Sequence, residues 1–159
     1  MTDYREWTDG YPSTKFRNND LNDTPSSGIS FSGTDFPLYR LSDVYLMFAE
    51  CAVRGASNAS MSDALNYVNM VRNRASASTI TMADLDLDFI IDERGRELNL
   101  EGHRRTDLIR FGRFTGGSYL WPWKGNTAGG ASIPDAYNLF PIPQSALDAN
   151  PNLQQNTGY

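Results

Sequence analysis

The positions of the prolines divide this chain into a helical middle and two flanks. All eight prolines lie at or before Pro37 or at or after Pro122, so residues 38–121 contain none. A proline inside a helix costs about 3 kcal/mol, because it lacks an amide hydrogen and clashes with the preceding turn. The long proline-free stretch therefore predicts that the regular structure is α-helical and lies between the flanks.

The first helical segment is apolar on nearly every side. Its apolar residues recur at helical spacing and predict a helix over 42–54, with Ser42 as the N-terminal cap and Gly55 closing the C-terminus. Few charged residues interrupt the pattern, so we expect more than one face of this helix to be buried. Cys51 lies within the apolar stripe and is expected to be a small buried hydrophobe.

A second helix is predicted directly after the first. Apolar positions at helical spacing run over 61–75, and Ser60 stands three residues before Asp63 in a capping arrangement. The link of residues 56–60 is so short that the two helices must form an antiparallel hairpin. This hairpin has the size of one tetratricopeptide unit, which cannot bury its own faces, so its packing partners must come from elsewhere in the fold.

The remaining helices are predicted to be shorter. One is expected to open at Thr81 and Asp84 and to end at Gly102, and a brief helix is predicted over 104–111. A last short turn is expected over 144–149. The predicted fold class is therefore all-α, with a tetratricopeptide-like helical hairpin, further helices and long ordered loops.

The chain is expected to form one domain, as a fragment of a larger protein, with three regions. The leading segment is rich in loop-forming residues, with one short pair of strands at most, and the last part is rich in glycine, proline and aromatic residues. The regions are a loop-rich leading segment over 1–40, a helical core over 41–113, and loops with a C-terminal tail over 114–159.

Charge and composition exclude several functional classes. The chain carries 14 Lys plus Arg against 19 Asp plus Glu, a formal net charge of −5, so no net positive field attracts nucleic acid or an anionic membrane. One cysteine forms no internal disulfide, and one histidine, His103, leaves few nitrogen ligands for a metal. The glycines between Gly125 and Gly130 match neither phosphate-binding pattern. We therefore expect no metal site and no cofactor.

The densest group of charges lies between Glu93 and Arg113 and admits two interpretations. Glu93 and Glu97 stand four residues apart on one helix face and could form the acid/base pair of a glycosidase. Arginine, however, outnumbers lysine 12 to 2, and guanidinium groups suit partly buried, bidentate pairs with carboxylates. We therefore favour a structural ion-pair network, whose members are Glu93, Arg94, Glu97, Glu101, Arg105, Asp107 and Arg110.

An aromatic run precedes the glycine-rich stretch and also admits two interpretations. Trp121 and Trp123 flank a proline, and such rings in a loop can present flat apolar faces onto which sugars stack, with Tyr119 beside them and Lys124 available to sugar hydroxyls. Alternatively both indoles plug the loop onto the helical core, because tryptophan is usually mostly buried.

Several segments, taken in order, form a specific combination. They are LYRLSDVYLMFAE over 38–50, ALNYVNMVRNRA over 64–75, DERGRELNLEGHRRTDLIR over 92–110, NLFPIP over 138–143 and NPNLQQNTGY over 150–159. In this order they resemble the C-terminal portion of the SusD/RagB family, the glycan-binding outer-membrane lipoproteins of Bacteroidota.

The resemblance implies a fold and a role. The fold would be an all-α superhelix with tetratricopeptide-like hairpins. The protein would lie at the outer membrane on the cell surface, as the partner of a SusC-like TonB-dependent transporter, and would capture an oligosaccharide or other nutrient without cleaving it. Sugar contacts vary within the family, so Trp7 and Tyr11 of the leading segment join the candidates.

Three departures from the family pattern limit this inference. Family members are longer and carry an N-terminal helical portion and a lipoprotein signal that this chain does not contain. Gly95 stands where alanine is more usual, at a cost of about 1 kcal/mol in a helix. No sugar-contacting residue of the family can be assigned to a position in this sequence by a matching motif. The alternative is a helical scaffold that contacts the transporter without a sugar site of its own, and uncovered apolar helix faces predict self-association.

Overall fold

The computed structural model describes residues 8, 10, 13, 15–19, 22, 24 and 34–159. Its regular structure is helical, and no strand occurs among the described residues, although Gly116 and Ile133 form an isolated antiparallel bridge. The predicted all-α class is therefore confirmed. The helices are α1 (Leu41–Val53), α2 (Met61–Arg74), α3 (Leu87–Glu97), α4 (Arg104–Arg110) and α5 (Gln144–Ala149), with 3₁₀ turns at Met82–Asp84, Lys124–Asn126 and Asp135–Asn138.

The described residues divide into two compact units. One unit comprises residues from position 13 to Arg104 and contains α1, α2 and α3. The other comprises 105–159 with Thr8 and Gly10, and contains most of α4, the long loops and α5. We call them the helical unit and the loop unit. The boundaries of these two units differ from those of the three regions predicted from the sequence, and the three regions remain a prediction.

Helices α1 and α2 form the predicted antiparallel hairpin. Helix α2 begins as predicted, because the Ser60 side chain accepts a hydrogen bond from the amide of Asp63 at 3.3 Å. Small buried residues, Ala49 on α1 and Ala64 on α2, allow the two helices to approach closely. Next to them, the rings of Tyr45 and Tyr67 stack with their centres 4.6 Å apart. The tetratricopeptide-like character of the hairpin remains a prediction.

The start and the outer face of α1 differ from the sequence-based expectation. Arg40, not Ser42, occupies the N-cap position, and Ser42 is buried inside the first turn. The prediction that more than one face is buried is wrong, since Leu41, Val44 and Met47 are exposed along one side. Cys51 lies on that side and is exposed as well, because α1 packs on α2 and α3 through its other face.

Helix α3 is shorter than predicted. The expected capping pair of Thr81 and Asp84 does form, but it belongs to the 3₁₀ turn at Met82–Asp84. The cap of α3 itself is Asp86, whose carboxylate accepts from the amide of Phe89 at 2.7 Å. The helix ends at Glu97 and not at Gly102, because Leu100 adopts a left-handed backbone with φ of 62°.

The loop unit holds its shape through side chains that bond to the backbone. Gln155 donates to the carbonyl of Ile142 at 3.0 Å and accepts from its amide at 2.8 Å. The Tyr159 hydroxyl donates to the carbonyl of Leu139 at 2.8 Å. Such pairs replace the hydrogen bonds of regular structure, which is why the loops of the C-terminal region are ordered, as predicted.

Candidate functional site

The aromatic run lies on a loop of the loop unit that is organised around a buried lysine. Lys124 is only 2% exposed. Its ammonium donates to the carbonyl of Tyr119 at 2.7 Å and of Gly116 at 3.1 Å, and lies 3.5 Å from the carbonyl of Arg113. The ammonium is therefore occupied by the backbone of its own loop, and Lys124 has no atom free for a sugar hydroxyl.

Two rings of this loop lie beside each other. The centres of Tyr119 and Trp121 are 6.0 Å apart with their planes tilted by 54°. The Lys124 ammonium lies 4.7 Å from the Trp121 ring, and the Arg113 guanidinium lies 5.0 Å from the Tyr119 ring. Both rings are half-buried. Each is thus held by the loop while part of its surface stays open to solvent.

The backbone after Trp121 is unusually constrained. Trp123 adopts a left-handed conformation with φ of 71°, a region that costs a bulky residue about 1–2 kcal/mol. Its amide donates to the carbonyl of Thr127 at 3.1 Å. Gly130 packs so closely on the loop that an added Cβ would lie 2.6 Å from the Trp121 carbonyl oxygen. The loop is therefore a tightly built turn, with Trp123 half-buried in it.

Burial of the Lys124 side chain lowers its pKa below the ordinary 10.5. The cause is the loss of solvation of the charged form. Within the described residues no Asp or Glu forms an ion pair with this ammonium. Its charge is met by carbonyl oxygens and by the face of the Trp121 ring.

The predicted ion-pair network begins, in the helical unit, with a clamp on the end of α3. Arg40 holds Glu101 through two nitrogens, Nε to Oε2 and Nη2 to Oε1, both at 2.8 Å. Arg40 also donates to the Glu97 carboxylate at 2.8 Å, and Arg74 of α2 reaches the other oxygen of Glu97 at 2.6 Å. Lys15 is a further partner of Glu101. These contacts join the beginning of α1 and the end of α2 to α3.

Glu93 and Arg94 of α3 are also paired with residues of neighbouring helices. Glu93 accepts from Arg72 of α2 at 2.8 Å and from Arg96 at 2.6 Å. Arg94 lies 2.8 Å from the Asp43 carboxylate of α1, and both side chains are buried. This last contact is close in distance but not aligned as a hydrogen bond.

The two carboxylates at the end of α3 are held in the charged form. Burial acts to raise the pKa of Glu97, but the hydrogen bonds from Arg40 and Arg74 outweigh it and lower that pKa below the ordinary 4.5. Burial likewise acts to raise the pKa of Glu101, and the bonds from Arg40 and Lys15 lower it. A general acid needs a raised pKa, so neither carboxylate is prepared to donate a proton.

The remaining predicted network residues lie in the loop unit and do not share one cluster. Asp107 pairs with Arg110 at 2.9 Å within α4. Arg105 instead stacks over the Phe140 ring at 4.1 Å and donates to the carbonyl of Tyr137 at 2.7 Å. The two remaining sugar-contact candidates, Trp7 and Tyr11, lie outside the described residues.

Sequence reasoning missed the partners of the network. Arg40 precedes α1, and Arg72 and Arg74 lie on α2, so all three are distant in sequence from Glu93 and Glu97, and only the arginine-rich composition indicated them. It also missed a cavity of about 330 Å³ between the start of α1 and the end of α2, which is lined by Arg40, Leu41, Ser42, Tyr45, Met70, Val71 and Arg74.

In the described part of the chain, no three His, Cys, Asp or Glu side chains cluster in a way that could hold a metal ion. None of its helices has the length and apolar character needed to cross a membrane.

Comparison with known proteins gives consistent results along the sequence. The model of the SusD family matches residues 2–159. The chain is 41% identical over 157 residues to the starch-binding protein SusD of Bacteroides thetaiotaomicron, a match that covers 96% of this chain and 27% of that protein. It is 38% identical over 138 residues to a SusD-like protein of Formosa agariphila, covering 77% of this chain and 24% of that protein. The chain thus spans about a quarter of the length of these curated relatives.

Solved structures agree with the sequence matches. A SusD superfamily protein from Bacteroides vulgatus matches with a TM-score of 0.58 and 35% identity, over 76% of this chain and 27% of that chain. Another, from Parabacteroides distasonis, matches with a TM-score of 0.58 and 29% identity, over 78% of this chain and 27% of that chain. The similarity therefore extends to the fold.

Proposed function

The chain belongs to the SusD family, and on that premise we propose that it is part of a non-catalytic glycan-binding component of an outer-membrane, TonB-dependent uptake system. The relative from Bacteroides thetaiotaomicron is named for binding starch. That name supports a carbohydrate ligand, and an α-glucan is the first ligand to test. The alternative, a scaffold without its own sugar site, is not favoured, because it would not account for the starch binding for which the relative is named.

The observation that carries the proposal is the ring pair of Tyr119 and Trp121. The two half-buried rings lie 6.0 Å apart and are tilted to each other, each has a cation against it, and each keeps part of its apolar surface exposed on the loop. Sugar rings have apolar faces that stack on such surfaces, and their hydroxyl groups stay hydrated or bond to nearby polar groups. Trp123 remains a further candidate contact on the same loop.

Binding without catalysis is supported by the state of the carboxylates. Glu93 and Glu97, the pair that a glycosidase would need, are both buried and each accepts hydrogen bonds from two arginines. A glycosidase general acid must hold a proton near neutral pH and must reach the scissile bond. The lowered pKa of Glu97 does not suit a general acid, and burial keeps both carboxylates from reaching a scissile bond.

The cellular setting of the proposal follows from family membership. We infer a position on the cell surface at the outer membrane and a SusC-like transporter as the partner that receives the glycan. Cross-linking in cells that carry the full-length parent protein would test this, with recovery of a TonB-dependent transporter as the expected result.

The binding proposal is tested by calorimetric titration of the chain with a maltooligosaccharide. We expect measurable affinity that Trp121→Ala weakens by about tenfold, the loss of roughly 1.4 kcal/mol that a stacked ring can supply. Tyr39→Ala is the matched control, because Tyr39 is 88% exposed but lies in the helical unit. Equal affinity of wild type and Trp121→Ala would contradict the assignment of the ring pair.

A further inference from the structure

We propose that Lys124 is a positioning residue for the ring pair: its buried ammonium gathers the carbonyls of Arg113, Gly116 and Tyr119 and so fixes Tyr119 and Trp121 for ligand binding. The inference rests on the proposed function, and it adds a role for a residue that the sequence pattern had assigned to the ligand itself.

The number and kind of partners suit an ammonium. A lysine side chain carries three N–H donors and no acceptor. Three carbonyl oxygens lie at 2.7 to 3.5 Å from it, and the Trp121 ring covers another side at 4.7 Å. Carbonyl dipoles and the electron-rich face of an indole are what a protein uses to hold a desolvated cation.

Lys124 is bonded both to the loop segment before the ring pair and to the segment after it. Its side chain reaches back to the segment that contains Arg113, Gly116 and Tyr119. Its own amide donates to the Trp121 carbonyl at 3.0 Å, and its carbonyl accepts from the amide of Ala131 at 2.9 Å. The segment before the rings and the segment after them are therefore fixed to the same residue.

The conformation of Trp123 indicates that these contacts hold the loop in a shape it would not otherwise keep. Its left-handed backbone directly precedes Lys124. An unfavourable conformation of a bulky residue persists only where the surroundings enforce it. Removing the ammonium releases three carbonyls and the ring contact together, so the ring pair loses its fixed geometry.

The role depends on charge, which separates it from simple space filling. The groups that face the ammonium are the three carbonyls and the Trp121 ring, and the loop also carries the Arg113 guanidinium, which lies over the ring of Tyr119. When Lys124 loses its proton, it keeps its volume but loses one donor and its attraction to the indole. The ring geometry must therefore change with pH.

The test uses the full chain with Trp7→Phe and Trp123→Phe, which leave Trp121 as the only one of the 3 tryptophans. In this background the variants are Lys124→Met and, as matched control, Lys15→Met, which removes the other lysine of the chain. In this background we measure Trp121 emission against pH, with far-ultraviolet circular dichroism as a check on the helices. Affinity for a maltooligosaccharide is measured with Lys124→Met and Lys15→Met in the otherwise unsubstituted chain, because Trp7 and Trp123 are themselves candidate glycan contacts.

The proposal predicts a step in Trp121 emission below pH 10.5, the ordinary pKa of lysine, and a fall in glycan affinity over the same pH range while the helix signal stays constant. Lys124→Met abolishes the step and weakens binding by about tenfold, and Lys15→Met does neither. A step of unchanged size in Lys124→Met overturns the proposal.

Failure of the proposed Lys124 role can be distinguished from failure of the proposed glycan binding. If the unsubstituted chain binds no glycan, the proposed function fails, and the emission step still decides whether Lys124 holds the ring. If Lys124→Met does not fold, acylation of the unsubstituted chain decides instead. Lys15 is then modified first and Lys124 is protected until the chain unfolds, whereas equal rates overturn the proposal.

Discussion

Arg40 and Glu101 form a two-pronged ion pair that joins the start of α1 to the segment after α3. Both hydrogen bonds measure 2.8 Å, and the Glu101 side chain is only 1% exposed. A planar guanidinium matches the two oxygens of a carboxylate, so the pair fixes direction as well as distance. In the sequence these charged residues resemble those of an enzyme active site. In the fold they form ion pairs that join the helices.

Arg40→Ala should lower the free energy of unfolding by about 3 kcal/mol, because it leaves the buried carboxylates of Glu101 and Glu97 short of partners. Arg40→Lys should recover only part of this, since lysine lacks the fork. Arg54→Ala is the control, as Arg54 pairs with Glu50 but is 41% exposed and should cost less than about 1 kcal/mol. Denaturant unfolding followed by circular dichroism measures all three. Equal losses for Arg40→Ala and Arg54→Ala would contradict the role of these ion pairs in joining the helices.

Acid should destabilise the chain through the same carboxylates. The folded-state pKa values of Glu97 and Glu101 are lowered below 4.5, so the stability they contribute is complete above pH 4.5 and is lost as the pH falls through the folded pKa values. The free energy of unfolding should therefore fall as the pH drops below 4.5. In Arg40→Ala that fall should be shallower. An identical pH slope in both proteins would show that the two carboxylates do not carry the acid sensitivity.

Gly95 leaves room for Arg104. A Cβ at position 95 would lie 3.0 Å from Nη1 of Arg104, which donates to the Ile91 carbonyl at 2.8 Å. Alanine is favoured over glycine inside a helix by about 1 kcal/mol, but here the guanidinium must move. Gly95→Ala should therefore gain little alone and about 1 kcal/mol in an Arg104→Ala background. A double-mutant cycle of unfolding free energies measures the coupling, and simple additivity would contradict it.

The uncovered face of α1 should drive self-association of this chain. Leu41, Val44 and Met47 form an apolar stripe, with Leu41 62% exposed. Contiguous apolar surface promotes association in water. Light scattering should show a mass that rises with concentration, and Val44→Lys should reduce it. Asn66→Lys adds the same charge at an exposed site on α2 and should leave association unchanged. A monomer at every concentration contradicts the prediction.

Local signals in the sequence predicted local structure well. The cap at Ser60 follows from neighbouring residues and is found as expected, and the short turn expected over 144–149 is the helix α5 with the same bounds. The end of α3 could not be predicted, because the apolar pattern continues through Leu98 and Leu100 although Leu100 has already left the helix. The exposure of Cys51 also escaped prediction, since an apolar stripe does not reveal what packs on it.

The candidate site was only partly predictable. The aromatic run indicated which loop to consider as a ligand site, and the excess of arginine over lysine indicated an ion-pair network. Glu101, however, pairs with Arg40, which is 61 positions away, and no local sequence spacing predicts such a pair. Lys124 was misjudged for a related reason: its acceptors are backbone carbonyls, which every residue carries, so no side-chain pattern distinguishes a lysine that holds its own loop from one that meets a ligand.

We propose that aromatic rings bind a glycan, while the acidic and basic residues of the helices stabilise the fold. The most direct measurement is incubation of the chain with a maltooligosaccharide, with affinity measured by calorimetry and products by chromatography, for wild type, Trp121→Ala and Glu93→Gln. We predict binding that Trp121→Ala weakens and Glu93→Gln retains, with the sugar recovered intact. Hydrolysis that disappears in Glu93→Gln would contradict the account.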